Sequence, residues 1–336
     1  MNTDMRNSIA PADNASRRST RTRLAHRAAA ALALLLAIGH AACARVPAAS
    51  PAPPPSPTSP PPLHGAPLVQ GIVWQPDDAH ANPRGDWDAL GVTDLLVQWS
   101  AVDGVALVAG AGLPTVARLP DWKRIGREPW ARNVIVGLAG RFDETEARER
   151  TPQLVAQSLA LALAPPAVHV SGWYFPVEVD PTWKRADTLK PLLEALPKPL
   201  WISVYDNSNI GGPALAAWLD SWLPRDVGVF FQDGCGGYVR EPRIAREYAD
   251  ALAATLGAPR VRIIAEAFRT LPNGTLRAAT AAELQPQLEA YRGYPAYLFD
   301  GPHYVPPGVV RALAEHRAAA AADARRPRSG ARRYGD

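Results

Sequence analysis

Cysteine is almost absent from this 336-residue chain, which has Cys43 and Cys235 and no others. Cys43 lies in a leader-like stretch, so no intrachain disulfide is left for the domain that follows, and its cohesion has to come from a hydrophobic core. Metal-binding spacings are also missing. There is no His-x-His and no His-Glu-x-x-His, so no metal and no cofactor is expected. No Gly-x-Ser-x-Gly occurs, and Cys235, in Asp-Gly-Cys-Gly-Gly, has no histidine beside it, which argues against a nucleophilic triad. The longest apolar run, 28–38, is shorter than the roughly 20 residues that a membrane span needs. Excess positive charge is absent as well. The overall balance of +4 comes from the ends, and residues 46–316 hold 23 basic against 28 acidic side chains. A domain at −5 does not offer the clustered basic face that nucleic acid requires.

Much of what is present is organisation. Residues 1–43 read as a secretory leader, with Arg17, Arg18, Arg21, Arg23 and Arg27 before the apolar run and small residues around Cys43 after it. His40-Ala41-Ala42-Cys43 resembles a bacterial lipoprotein processing site. Ordinary cleavage after Ala42 or Ala44 is the alternative. Residues 44–65 form a linker so rich in proline that it can only be an extended spacer. The expected location is therefore outside the cytoplasm, periplasmic or tethered to the envelope by an N-terminal lipid. A basic disordered tail is expected over 317–336.

Between these ends, 66–316 alternates short apolar runs with amphipathic stretches. Eight runs read as strands, at 68–74, 94–99, 133–138, 168–175, 200–205, 227–232, 261–265 and 296–299. They are continuously apolar, as strands buried on both faces are. Helical patterns fill 143–163, 185–196, 213–223, 241–256, 280–292 and 306–322. Eight β-α units over roughly 250 residues point to a closed (β/α)8 TIM barrel, a single domain. An open doubly wound sheet is the alternative, but no glycine-rich phosphate loop follows the first strand.

Barrel enzymes build their sites at the C-terminal ends of the strands. Here those ends carry Glu178, Asp206, Asp233, Glu266 and Asp300. Carboxylates crowded at one rim repel one another, which suggests a shared proton or a polyhydroxylated ligand. Glycoside hydrolysis needs two carboxyl groups, and sugar sites add aromatic rings and amides. Glu178, Glu266 and Asp233 are thus the candidate catalytic residues. Trp74, Gln75, Gln98, Trp99, Tyr174, Tyr205, Asp206, Asn207, Gln232, Asp300 and His303 are candidates for binding substrate.

Three motifs add to this: Gly172-Trp173-Tyr174-Phe175-Pro176-Val177-Glu178, Gln232-Asp233-Gly234-Cys235-Gly236 and Glu266-Ala267-Phe268. Together they resemble a bacterial family of exported, glycoside-hydrolase-like barrels of undetermined function. More widely, the chain resembles retaining glycosidase barrels with an acid at strand four and a nucleophile at strand seven, although Val177 stands where those enzymes carry Asn. The resemblance implies that Glu178 is the general acid/base and Glu266 the nucleophile; a poly- or oligosaccharide is the expected substrate, and a monomer the expected state. Two other readings stay open. One is a non-catalytic polysaccharide-binding barrel of an envelope assembly, whose acids pair with Arg or hold loops. The other is a carbohydrate-modifying enzyme such as a lyase.

Overall fold

A computed structural model describes residues 67–325. The leader, Cys43 and the proline-rich linker lie outside the described residues. Eight parallel strands close a barrel: β1 (Gly71–Trp74), β2 (Asp94–Val97), β3 (Asn133–Gly137), β4 (Val170–Val179), β5 (Leu200–Val204), β6 (Val227–Gln232), β7 (Val261–Glu266) and β8 (Ala296–Phe299). Closure lies between the first strand and the last, with Gly71 opposite Tyr297 and Ile72 opposite Leu298. The fold is the (β/α)8 barrel expected from the alternation of β and α units.

The helices cover the outside of the barrel. Glu144–Glu149 starts with the Asp143 side chain accepting from the Glu146 N–H, and Thr280 caps Ala281–Ala290 in a reciprocal capping box with Glu283. Pro242–Leu256 turns Ala245, Tyr248, Ala249, Leu252 and Leu256 toward the barrel, a spacing that places them on one face. Among the described residues no helix is long and apolar enough to cross a membrane.

Three local features depart from a plain barrel, and the first is the extra hairpin that the stretch 100–130 suggests. The 100–130 crossover holds a small sheet, in which Ala101–Val102 pairs antiparallel with Val105–Ala106 and parallel with Ala139–Gly140. The last helix, Pro307–Arg325, runs into the segment expected to be tail, and Arg317 donates from Nη1 to the Leu90 carbonyl at 2.9 Å. The third departure matters for chemistry. β4 does not stop at Phe175 but continues to Val179. Its pairing with β5 advances from Phe175–Ile202 to Val179–Val204, so four residues on β4 span two on β5. Pro176 lies in this bulge; it has no N–H to give the ladder, and a bulge re-aims the side chains it carries.

Candidate active site

Strand alternation sorts the rim residues into two sets. One side of the strands packs Val73, Leu96, Ile135, Tyr174, Trp201, Phe230, Ile264 and Tyr297 into a cluster inside the barrel. The other side packs Ile72, Trp74, Val97, Phe175, Ile202, Phe231 and Ala265 against the helices. Stepping two residues from the inner set brings Gln75, Gln98, Gln232, Glu266 and Phe299 to the mouth, with Tyr205 and Glu178 one step further. The same step along the outer side takes Asp206, Asp233 and Asp300 away from the mouth.

Glu178, in the β4 bulge, accepts a close hydrogen bond on Oε2 from the Gln232 amide. Its Oε1 is buried and has no hydrogen-bond partner among the described residues. Its own N–H donates to Glu144 Oε1 at 2.7 Å, and Arg148 donates to its carbonyl at 3.0 and 3.2 Å. Arg148 therefore touches the Glu178 backbone and leaves the carboxyl unpaired. Burial lifts the Glu178 pKa to about 7 against the opposing Gln232 bond and Arg148 charge. Burial, with the Glu178 charge next, also holds Glu144 well above the usual carboxylate range.

Glu266 ends β7 and is 5% exposed. Its Oε2 accepts from two successive peptide N–H groups, Gly236 at 2.7 Å and Gly237 at 3.2 Å. Burial, then the Asp233 charge, lifts it to about 8 against those donors and Arg240. The two carboxyls belong to one mouth. Gln232, which holds Glu178, pairs in register with Ile264, one pleat below Glu266 on the same face. The Tyr205 hydroxyl lies within electrostatic reach of both, and burial followed by the Glu266 charge raises its pKa.

The structure corrects several expectations for individual residues. Asp233 is fully buried on the outer side of β6 and cannot stand in for either glutamate. Its Oδ1 accepts from the Cys235 and Glu266 N–H groups and its Oδ2 from Gln287 and from the Tyr291 hydroxyl at 2.8 Å. Asp206, also fully buried, accepts on Oδ2 from the Ile210 N–H and the Tyr248 hydroxyl, both at 2.8 Å. Trp74 and Trp99 are core rings. Trp74 sits against Trp122 with its Nε1 on the His80 carbonyl at 2.8 Å, and Trp99 packs edge-on to Phe142. Tyr174 lies in the barrel interior below the mouth. Asp300 is 1% exposed and accepts from the Gln75 N–H at 3.0 Å, so it too works as a loop anchor. Gln75, Gln98, Asn207, Gln232 and His303 are partly exposed at the rim, and Tyr205 is nearly covered.

Other residues of the site carry no signal that composition or motif would reveal. Arg240 is buried and donates to the carbonyls of Asp206, Gln232 and Asp233 while stacking over Tyr248, which ties the ends of β5 and β6 together. Asp180 fastens the loop after β4 to the Asn207 N–H at 3.0 Å. Asp77 and His80, in the loop after β1, meet His303, whose pKa rises to about 10 because its bonds to Asp300 and Asp77 outweigh the cost of burial. Between the helices after β3 and the segment after β4, a groove of about 580 Å³ is lined by Arg148, Trp183, Lys184 and Arg185, with the Arg148 guanidinium 5.4 Å from the Trp183 ring centre.

No family model matches the chain, and no curated protein does. Solved structures do resemble it. One, from Bacteroides thetaiotaomicron and provisionally assigned as an alpha-L-fucosidase, is 15% identical, with a TM-score of 0.49 over 82% of this chain and 98% of its own. The PgaB (BpsB) glycoside hydrolase domain from Bordetella bronchiseptica is 12% identical, with a TM-score of 0.45 over 74% of this chain and 97% of that one.

Proposed function

We propose that this protein is a glycoside hydrolase with Glu178 as general acid/base and Glu266 as nucleophile or base. The observation that carries the reading is the pair of carboxyls at one barrel mouth, Glu266 buried and Glu178 partly so, neither of them ion-paired among the described residues, with unlike hydrogen-bond environments. Glu266 faces two peptide N–H groups, which favour negative charge there, although burial and the Asp233 charge outweigh them and raise it above Glu178, so the assignment rests on the donors and not on the order of the two pKa values. Glu178 has a bare, buried Oε1, which favours a proton. An acid that protonates the leaving oxygen and a carboxylate that meets the sugar carbon, or activates water, are the two parts that the reaction needs. Asp233 keeps Glu266 in place through the Glu266 N–H and contributes the charge that raises it.

The groove at Arg148 and Trp183 lies next to the strand that carries Glu178, since Arg148 also reaches the Glu178 carbonyl, and its aromatic and polar lining suits sugar hydroxyls and ring faces. These features support a poly- or oligosaccharide as the substrate class, and the leader-like N-terminus supports a location in the envelope. The binding-module reading expects acids spent on loops. Asp206, Asp233 and Asp300 are spent that way; Glu266 holds the turn after β6 with Oε2 alone, and the Glu178 carboxyl meets only the Gln232 amide. The test is a screen of exopolysaccharides and envelope glycans for released reducing ends, run alongside Glu178→Gln and Glu266→Gln. Turnover abolished in both variants with substrate binding retained is the expected result. Binding without turnover in the wild-type protein would favour the binding module.

A further inference from the structure

We propose that Asp77, His80 and His303 form a binding site for one divalent first-row transition-metal ion of the zinc or cobalt type. The site stands at the rim where the loop after β1 meets the end of β8. Its donor atoms all lie within 4.8 Å of one another. Asp77 places Oδ1 at 3.1 Å from His80 Nδ1 and Oδ2 at 3.0 Å from His303 Nε2. Ligands about 2.1 Å from a common ion are separated by roughly 3 to 3.4 Å, so the cluster reaches metal geometry with small side-chain movements. Two imidazoles and one carboxylate suit zinc, cobalt or nickel, whereas magnesium and calcium prefer oxygen donors throughout.

A second feature, separate from the donor cluster, points the same way. His303 Nδ1 lies 2.8 Å from Asp300 Oδ2, behind the cluster. A carboxylate there keeps a proton on Nδ1, so the proton that Nε2 shares with Asp77 is the one released when an ion binds, and Nε2 then offers its lone pair to the ion. Asp300 is itself held by the Gln75 N–H, and its Oδ1 is buried with no hydrogen-bond partner among the described residues. The His80 and His303 rings approach to 3.9 Å between centroids, a close pairing for two groups that share one carboxylate. Among the described residues no Lys or Arg is ion-paired with Asp77 or Asp300. The loop is fixed from two sides, by Trp74 Nε1 on the His80 carbonyl at 2.8 Å and by the His80 N–H on Asp77 Oδ1 at 2.6 Å. Side-chain exposures of 34%, 12% and 23% for His80, Asp77 and His303 leave the ion open to solvent. Three protein ligands then leave a coordination position free for water or a sugar oxygen.

The test is calorimetric titration of the chelator-treated full chain with Zn2+, repeated with Mg2+, together with the absorption spectrum of the Co2+ form. One Zn2+ per chain, no Mg2+ uptake and Co2+ bands of a nitrogen- and oxygen-ligated ion are expected. His80→Gln alters a partly exposed side chain and should keep the fold, as judged by circular dichroism, while weakening Zn2+ at least 100-fold. Asp300→Asn should weaken it about 10- to 100-fold. If the wild-type chain takes up no Zn2+, or if folded His80→Gln binds as tightly as wild type, the proposal is wrong and the cluster only ties the loop to β8.

Discussion

At the scale of single residues, Glu178 and Glu266 are separated from the other rim acids by what their oxygens touch. Replacing Glu178 with Gln removes a transferable proton and keeps the shape, so kcat should drop about 10²- to 10⁴-fold. Glu266→Gln should cost at least as much. Because the two act in one reaction, the double variant should be little worse than the poorer single one, measured as reducing ends released. Additive losses would show that the two glutamates act independently. Asp233→Asn tests the support. Its Oδ2 accepts from Gln287 and Tyr291, so an amide nitrogen placed there would face two donors. Arg269 fixes Gln287 through its Oε1 at 2.9 Å, so that amide cannot turn without losing another bond. A loss of about 1–3 kcal/mol is expected in chemical denaturation, with Glu266 titrating lower once the neighbouring charge is gone.

At the scale of elements, two irregular pieces of chain make the site. One is the β4 bulge; the other is the turn after β6, which supplies both N–H donors to Glu266. A Cβ on Gly236 would come 2.8 Å from the Phe268 carbonyl and 2.7 Å from its ring, so Gly236→Ala has to shift that turn. Activity should fall further than the loss of roughly 1–3 kcal/mol in stability explains, because both donors move away from the carboxylate. An Ala variant with wild-type kcat would remove these N–H groups from the mechanism. The same two pieces mark where the chain stops being readable from its residues alone. Eight apolar runs and their spacing are enough to give the barrel, since strands buried on both faces announce themselves. Pro176 reads as the end of β4, yet the strand passes through it by bulging, and nothing local to residues 175–179 says that pairing with β5 resumes at Val179. Strand parity separates Gln232 from Asp233 and Tyr205 from Asp206, but only once the strand ends are known, so the rim acids read from the sequence as one set. The cluster of Asp77, His80 and His303 is not legible, because it joins residues more than 200 positions apart through barrel closure between β1 and β8.

At the scale of the whole molecule, burying two unpaired carboxyls has a thermodynamic signature independent of any substrate. An unfolded Glu titrates near 4.5, while Glu178 and Glu266 in the folded chain titrate at about 7 and about 8. Between those limits the folded state binds more protons than the unfolded state, so stability falls as pH rises. The contribution is fully present below about pH 4.5 and is lost as pH passes through about 7 for Glu178 and about 8 for Glu266. One pKa unit corresponds to about 1.4 kcal/mol, so the two shifts amount to roughly 3 kcal/mol for Glu178 and roughly 5 kcal/mol for Glu266 across their windows. Gln carries no charge and fits the same space, so Glu178→Gln and Glu266→Gln should each flatten the decline of stability between pH 5 and pH 9. At pH 9 both variants should be more stable than the wild-type chain, and near pH 4.5 the difference should vanish. Denaturant melts at a series of pH values measure this directly. A wild-type stability that rises over the same range, or Gln variants that lose stability at pH 9, would mean that the two carboxyls are charged and paired in the folded protein. On the function proposed above, the stability given up at high pH is the cost of holding an acid and a base poised in one mouth.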